Sequence, residues 1–200
     1  AEDASVGDAV MTVSITDSTP TAILISAGNG DGIFAIATSG AVTIADATNL
    51  DYETTSSYTL TIVAYDSSSS DVEDITITIN NANDAPTVAT AISDASTAED
   101  SSYSLDISSN FDDEDTSDSL SYTASGLPSS GNLAMSTAGV LSGTPTNADV
   151  GAHTVIVTAT DDGTGTLSVT DTYVLTVTNT NDAPTVSSAI ADASNAEDAA

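Results

Sequence analysis

The sequence contains no lysine, arginine, cysteine or tryptophan among its 200 residues. It has 30 aspartates and glutamates and a single histidine, so the formal net charge at pH 7 is −30. Conventional salt bridges are therefore excluded, because only the amino terminus and His153 can carry a positive charge. Two carboxylates about 4 Å apart repel by about 4 kcal/mol at an effective dielectric constant of ~20. Each carboxylate must be solvated, accept hydrogen bonds or bind a metal cation.

These absences also exclude several classes of partner and site. Without basic side chains the chain cannot neutralise phosphates, so we expect no nucleic-acid binding and no direct contact with anionic membranes. The lack of cysteine excludes disulfides and thiolate metal sites. The sequence has no run of about 20 apolar residues, which a membrane-spanning helix requires.

The residues that are present favour a folded extracellular protein. High net charge with 4% aromatic residues is typical of disordered chains, yet 40% of the residues are hydrophobic and they alternate clearly. The abundance of Thr, Ser, Asp and Ala favours a secreted bacterial protein, at the cell surface, in a saline or calcium-rich medium.

Period-two alternation of Thr, Val, Ile and Tyr predicts half-buried strands throughout the chain. The stretches YTLTIVAYD (58–66) and HTVIVTATD (153–161) match position for position at an offset of 95. The predicted strands cover residues 9–15, 22–26, 33–37, 41–44, 58–66, 74–80, 103–107, 120–124, 140–142, 153–161 and 172–179. No helix is predicted.

Two further motifs repeat with nearly the same period. NANDAP (81–86) returns as NTNDAP (179–184), and Ala-Glu-Asp occurs at residues 1–3, 98–100 and 196–198. About seven short strands per ~97 residues predicts an all-β fold of tandem immunoglobulin-like (cadherin-like) antiparallel sandwiches. The predicted domains are a sandwich over residues 1–84, a second over 85–182, and the opening strand of a third over 183–200.

The first repeat resembles a cadherin-type repeat over residues 1–86. LDYE (50–53) is similar to the Leu-Asp-Arg-Glu motif of that family, VAYD (63–66) to its Ala-x-Asp, and NANDAP to its Asp-x-Asn-Asp-Asn-x-Pro linker. The second repeat, over 87–184, resembles the dystroglycan-type cadherin-like (Ig-type) module of large bacterial surface adhesins. Its signature extends from FDDEDTSDSLSY (111–122) to VTATD (157–161).

The resemblance implies calcium at the junctions between repeats. Calcium takes six to eight oxygen ligands, mainly carboxylates and carbonyls. The family's motifs map, for the first junction, onto Glu2, Asp51, Glu53, Asn81, Asn83, Asp84, Asp113, Asp115 and Asp161. For the second junction they map onto Glu99, Asn179, Asn181 and Asp182, with Asp149 in place of the missing Asp-x-Glu.

Departures from the family pattern predict fewer calcium ions than its full set. Asn81 stands where the linker of the family begins with Asp, and the hexapeptide is one residue shorter. The first repeat has Asp-Ser-Thr (17–19) where an Asp-x-Asp is expected. A solvated acidic loop or a capped turn explains any one of these motifs taken alone.

Nothing in the sequence supports catalysis. No Cys or Lys is present, and no nucleophile-elbow motif surrounds any Ser. We expect His153 to fill an inward-facing aromatic position at the edge of the second sandwich. The predicted function is a structural extender of a long repetitive extracellular protein, rigidified by calcium, with neighbouring repeats as partners and a role in cell-surface adhesion. Two alternatives are a filament or matrix subunit assembled by strand addition between copies, and an accessory non-catalytic domain of a secreted hydrolase.

Overall fold

The computed structural model describes residues 1–16, 20–192 and 197. The predicted all-β fold is confirmed, and the only helical elements in these ranges are two single 3-10 turns at Ser108–Asn110 and Asn147–Asp149. Residues 17–19 and part of the predicted third-repeat strand (193–196 and 198–200, including Ala196 and Asp198) lie outside the described residues. The strands are β1 (Ala9–Thr12), β2 (Ala22–Ala27), β3 (Phe34–Ile36), β4 (Ala41–Ile44), β5 (Ser57–Tyr65), β6 (Ser70–Thr78), β7 (Thr87–Val88), β8 (Ala95–Ala98), β9 (Tyr103–Asp106), β10 (Phe111–Asp112), β11 (Ser121–Ser125), β12 (Ala134–Met135), β13 (Val140–Gly143), β14 (Gly151–Thr160) and β15 (Ser168–Thr178).

The chain forms two compact units. The first comprises Ala1–Thr90, Ser109–Tyr122 and Thr158–Thr170, and the second comprises Ala91–Ser108, Thr123–Val157 and Asp171–Ala200. The domain boundaries expected from the sequence (1–84, 85–182 and 183–200) stay a prediction.

The first unit contains the sheets β1-β4-β3 and β2-β5-β6 and the short antiparallel pair β10-β7. The β5–β6 hairpin pairs continuously from Ser57 opposite Thr78 to Tyr65 opposite Ser70. Alternate residues of β5 face inward, so Leu60 and Ile62 are buried. The Phe34 and Tyr58 rings meet edge to face with centroids 5.2 Å apart. The buried core consists of Ile23, Ile33, Phe34, Val42, Ile44, Leu50, Leu60, Ile62, Ile77 and Ile79.

The second unit contains the sheet β12-β13-β9 and most of a sheet with the order β11-β14-β15-β8. β8 pairs in parallel with β15, with Ala95 opposite Leu175 and Ala98 opposite Thr178. Its fully buried residues include Ile107, Leu141, Val155, Val157, Tyr173, Leu175 and Val177. His153 is half-buried, as expected, and its Nε2 lies 2.7 Å from the Asp149 carbonyl oxygen.

The first strand is shorter than predicted: it ends at Thr12, whereas the predicted strand ends at residue 15. Its register with β4 shifts between Ala9 and Met11. Beyond the strand end, the Val13 N–H donates to the Gly40 carbonyl oxygen. Gly40 has φ 83°, and a Cβ there would lie 2.2 Å from the Val13 oxygen, so only glycine fits this approach.

Several loops are closed by aspartate side chains. In each, the carboxylate accepts a hydrogen bond from the backbone N–H of a Ser or Thr two or three residues later, and these bonds lower its pKa. The pairs are Asp46 with Thr48, Asp51 with Thr54, Asp66 with Ser68, and Asp106 with Ser108. In this chain these hydrogen bonds take the place of ion pairs, which cannot form without Lys and Arg.

Candidate metal centre

All nine residues predicted for the first calcium junction lie in the first unit, on five separate segments. Glu2 lies near the amino terminus, where its N–H donates to the Asn80 carbonyl oxygen over 3.1 Å. The turn before β5 carries Asp51 and Glu53, and Asn81, Asn83 and Asp84 follow β6. The loop after β10 carries Asp113 and Asp115, and Asp161 directly follows β14.

Three of these acids converge. Glu2, Glu53 and Asp84 each place one carboxylate oxygen within 4.8 Å of the others. Glu2 connects the segments, because its two carboxylate oxygens accept hydrogen bonds from the N–H groups of Tyr52 and Ala82. Among the described residues this is the only group of three or more acids or histidines that meets this criterion.

The convergence raises the pKa of several carboxyl groups. Burial, followed by the charges of Glu2 and Asp115, raises the pKa of Glu53. Burial and then the charge of Glu2 likewise raise the pKa of Asp84. For Glu114 the main cause of the raised pKa is the charge of Asp51. Burial and clustered negative charge therefore disfavour ionisation here, and a bound cation would reverse that preference.

A second set of predicted residues lies beside the first. Asp115 is 3% exposed, and it accepts hydrogen bonds from the Asn81 side-chain amide (2.6 Å) and from the Asp84 N–H (2.7 Å). Asp161 is also 3% exposed and accepts a hydrogen bond from the Asn83 amide over 3.1 Å. The linker asparagines thus contact the predicted acidic ligands directly.

Two carboxylate oxygens in this region are buried without a hydrogen-bond partner: Glu53 Oε2 and Asp113 Oδ2. Burial and neighbouring acids also raise the pKa of Asp113, although the Asp115 N–H opposes this. A buried unpaired carboxylate oxygen is costly unless a cation satisfies it. The donor set is all oxygen, which matches the preference of calcium. The residues present therefore fit calcium.

The structure adds residues that the sequence reasoning did not single out. Asp118 and Asp162 line a cavity of about 330 Å³ together with Asn83, Asp115 and Gly163. A Cβ on Gly163 would lie 1.6 Å from Asn83 Oδ1 and 2.1 Å from Asp118 Oδ2. The spacing Asp113-x-Asp115-x-x-Asp118 was the available signal, because a loop that returns on itself brings such acids to one side.

Asp51 is held differently from its neighbours. Its two carboxylate oxygens accept hydrogen bonds from the Thr54 N–H (2.9 Å) and hydroxyl (2.8 Å), which lower its pKa. Asp51 therefore keeps its charge beside the cluster, and it contributes to raising the pKa of Asp84 and of Glu114.

The residues predicted for the second junction lie in the second unit and are less gathered. Glu99 is 1% exposed, its Oε1 accepts a hydrogen bond from the Thr180 N–H, and its Oε2 is buried without a partner. The Asn179 amide contacts the Thr180 carbonyl oxygen instead of an acid. Asp182 is exposed, with the Asn147 amide 3.4 Å away, and Asn181 is exposed.

The carboxylate of Asp149 is hydrogen-bonded to other groups of the polypeptide. It is 2% exposed and accepts hydrogen bonds from the N–H groups of Ser130 and Thr146, both over 2.8 Å, and from the Thr146 hydroxyl. These bonds, led by that of Thr146, lower its pKa to about 2. The geometry gives Asp149 the role of closing the 3-10 turn, and its assignment as a metal ligand stays a prediction.

Comparison with known proteins identifies the families that the chain matches and supports its fold. The family model of the Cadherin domain matches residues 1–80, and that of the Putative Ig domain matches residues 85–178. Residues 1–80 thus match a cadherin domain, and residues 85–178 match an Ig-type domain. Domains of these two families are non-catalytic adhesion modules, typically extracellular, and cadherin domains generally bind calcium. No curated protein matches the chain.

Solved cadherin ectodomains share the fold of this tandem. Mouse cadherin-23 EC22-24 has a TM-score of 0.65 at 23% identity, and the match covers 90% of this chain and 61% of that one. Protocadherin gamma B2 domains 3-6 have a TM-score of 0.64 at 24% identity over 90% and 44%. Human protocadherin-24 EC1-2 has a TM-score of 0.69 at 20% identity over 88% and 91%. The chain thus spans less than two thirds of the first two structures.

No helix in the described part of the chain is long and apolar enough to cross a membrane.

Proposed function

We propose that this cadherin and Ig-type tandem is an extender segment of a long repetitive bacterial surface protein, stiffened by calcium and serving cell adhesion. The supporting observation is the pair of buried, partnerless oxygens of Glu53 and Asp113 in an acidic cluster. The chain has no Lys or Arg to neutralise them. A divalent cation would balance this charge while the carboxylates stay ionised.

In the proposed mechanism the residues act in three sets. Glu2, Asp51 and Glu53 belong to the cadherin domain, Asn81, Asn83 and Asp84 to the linker, and Asp113, Asp115 and Asp161 to the following domain. Calcium supplies positive charge and oxygen coordination when bound. Without it, mutual repulsion loosens the linker, because the same acids raise one another's pKa.

With a cation bound, Glu2 holds two segments at once through its bonds to the N–H groups of Tyr52 and Ala82. The Asn81 and Asn83 amides now donate to Asp115 and Asp161. Rotation of each amide by half a turn would present its oxygen as a ligand, since the two orientations have the same shape. The linker then becomes part of one coordinated unit.

The expected affinity suits an extracellular setting. Extracellular calcium modules bind with dissociation constants of about 10⁻⁴–10⁻³ M. The junction predicted from Glu99, Asn179, Asn181, Asp182 and Asp149 is proposed as a weaker site, because its residues are less gathered than those of the first. The proposed domain limits are 1–84, 85–182 and 183–200.

Small-angle scattering of the full chain in millimolar calcium and in chelator tests this function. Calcium should lower the apparent flexibility of the tandem, and Glu53→Gln should reduce that effect. Equal flexibility in both conditions would show that calcium does not stiffen the segment. Magnesium at equal concentration is the matched control, because it demands a smaller octahedral site.

A second candidate function is a filament or matrix subunit assembled between copies. The observation behind it is that residues 183–192 (APTVSSAIAD) repeat the start of the second sandwich, APTVATAISD at 85–94. A segment of this kind could add as a strand to the sheet of another copy. Electron microscopy of the native material would distinguish the two, because non-covalent end-to-end joints between chains would indicate a filament.

A further inference from the structure

The loop between β2 and β3 contains the sequence Gly-Asn-Gly-Asp-Gly (28–32), which the calcium proposal does not use. Asn29 precedes Gly30, which is exposed, and a Cβ built on Gly30 would meet nothing within 4 Å. Among the described residues no acceptor is found for the Gly30 N–H. An asparagine side chain before glycine is readily attacked by the next backbone nitrogen, because glycine has no side chain to hinder the approach.

The Asn29 side chain is held in place by the backbone of Phe34. Its Nδ2 donates to the Phe34 carbonyl oxygen over 2.7 Å, and its Oδ1 accepts the Phe34 N–H over 3.0 Å. Phe34 is 3% exposed, and its ring packs edge to face against Tyr58. The amide therefore fastens the loop to a core residue. Because both polar atoms of the amide are engaged, Asn29 Cγ is fixed relative to the Gly30 nitrogen.

The corresponding loop of the second sandwich has no Asn-Gly pair. Each loop begins with a glycine at positive φ directly after its strand, 83° at Gly28 after β2 and 76° at Gly126 after β11. The second loop continues as Leu-Pro-Ser-Ser-Gly (127–131), and the Asp149 carboxylate fastens it by accepting the Ser130 N–H over 2.8 Å. A sandwich of this kind can therefore close the loop without an asparagine before glycine.

We propose that Asn29 is a site of spontaneous deamidation and that its two bonds to Phe34 hold the reaction back in the folded domain. The Gly30 nitrogen attacks Asn29 Cγ, a C–N bond forms, and the side-chain nitrogen leaves as ammonia with the proton that Gly30 loses. Water then opens the succinimide ring at either of its two C–N bonds, which leaves aspartate or isoaspartate at position 29. Water is the only other reactant. This modification goes beyond the calcium-dependent function and does not require it.

The reaction removes the hydrogen-bond donor on which the loop depends. An oxygen takes the place of Nδ2 and faces the Phe34 carbonyl oxygen, so two acceptors meet where a hydrogen bond was made. The isoaspartate form also adds a carbon atom to the backbone. No Lys or Arg is present to compensate the new negative charge. Deamidation therefore loosens the attachment of this loop to the core of the first sandwich.

Peptide mapping after incubation measures the reaction directly. Trypsin cannot cut a chain without Lys and Arg, so chymotrypsin is used, and its fragment 25–34 contains Asn29 as the only side-chain amide. The mass of this fragment reports conversion of the amide to an acid. The full chain is incubated in mildly alkaline buffer with chelator, both folded and in denaturant. Gly30→Ala is the matched control, because a methyl group fits at this position and hinders the attack.

In denaturant, Asn29 should deamidate at least about tenfold faster in the parent than in Gly30→Ala, and at least about tenfold faster than Asn49, which precedes Leu50. In the folded parent the rate at Asn29 should fall by about tenfold or more, because two hydrogen bonds must open first. Equal rates in the parent and in Gly30→Ala would overturn the site. Equal rates in the folded and unfolded parent would overturn the protection by Phe34.

Thermal unfolding gives a second readout that does not depend on the reaction rate. Asn29→Asp reproduces one product and should lower Tm by about 2–4 °C or more, because the bond to the Phe34 carbonyl oxygen is lost. Asn49→Asp is the matched control, since Asn49 is exposed and its replacement adds the same charge. The same Tm for both variants would show that the amide does not fasten the loop.

Discussion

Substituting Gly163 by alanine probes the candidate metal centre without replacing any of its predicted ligands. The added Cβ would lie 1.6 Å from Asn83 Oδ1 and 2.1 Å from Asp118 Oδ2. Ordinary contact begins near 3.4 Å, so both side chains must retreat by more than an ångström. Both atoms lie at the ends of flexible side chains, so the fold can accommodate the change. The geometry of the site is altered, because these two side chains must move.

The size of the effect follows from linkage. A ligand stabilises the folded state by RT ln(1 + [L]/Kd). With a dissociation constant of about 10⁻⁴–10⁻³ M, calcium at about 10 mM contributes roughly 1.4–2.7 kcal/mol. Misplacing the oxygens around a metal costs about tenfold or more in affinity, which removes roughly 1 kcal/mol of that gain. For a chain of this size the calcium-dependent rise in Tm should shrink by about 2–4 °C.

Thermal unfolding by circular dichroism, with and without calcium, measures this difference. In chelator Gly163→Ala should melt close to the parent, because replacing glycine reduces the entropy of the unfolded chain by a small, stabilising amount. Gly30→Ala is the matched control, since a Cβ there meets nothing within 4 Å. If all three proteins gain the same Tm from calcium, the space beside Gly163 is not part of the metal site.

Two further substitutions address charge and hydrogen bonding. The pKa of Glu53 is raised above 4.5, so its ionisation opposes folding at neutral pH and this cost disappears below pH 4.5. In chelator, Glu53→Gln should therefore melt above the parent at pH 7, with the difference vanishing as the pH falls to about 4; a constant difference would show that ionisation of Glu53 does not oppose folding. The pKa of Asp149 is lowered to about 2, so its stabilising hydrogen bonds are fully present above pH 3.8 and fade toward pH 2. Asp149→Ala should lower Tm equally in calcium and in chelator, whereas a larger loss in calcium would support the ligand role predicted from the sequence.

The strands of the two long hairpins could be predicted because their alternation is local. The sequence placed the start of β6 at residue 74, but the strand begins at Ser70. Ser, Asp and Glu have low strand propensity, and the extension depends on the Asp66 carboxylate, which closes the hairpin by accepting the N–H groups of Ser68 and Ser69. A turn of this kind sets the register of the residues that follow it, although their own strand propensity is low.

Short strands escaped prediction for a different reason. β7, β10 and β12 have two residues each, and β8 has four small ones. No period can be read from so few positions. Their pairing is long-range, as between Phe111 and Val88 in the β10–β7 pair. These short strands can therefore be recognised in the folded structure but not from the pattern of the sequence.

The residues of the candidate site that belong to sequence motifs could be predicted. The residues that a loop brings to the site could not. Glu2, Glu53 and Asp84 come from three separate motifs, and the structure places them together. Asp118 and Asp162 follow Ser and Asp residues that resemble ordinary turns. Their proximity to Asn83 depends on the path of two loops. The metal role of all these residues stays a prediction.

The aspartate-closed loops set the tolerance of this chain to salinity. In most proteins ion pairs help to hold surface loops in place. These pairs weaken in concentrated salt, because dissolved ions screen their attraction. Here Asp46, Asp66 and Asp106 are each fastened by backbone N–H groups a few residues away. A neutral donor at hydrogen-bond distance leaves no room for a screening ion. The same loops should therefore keep their structure in fresh water and in seawater.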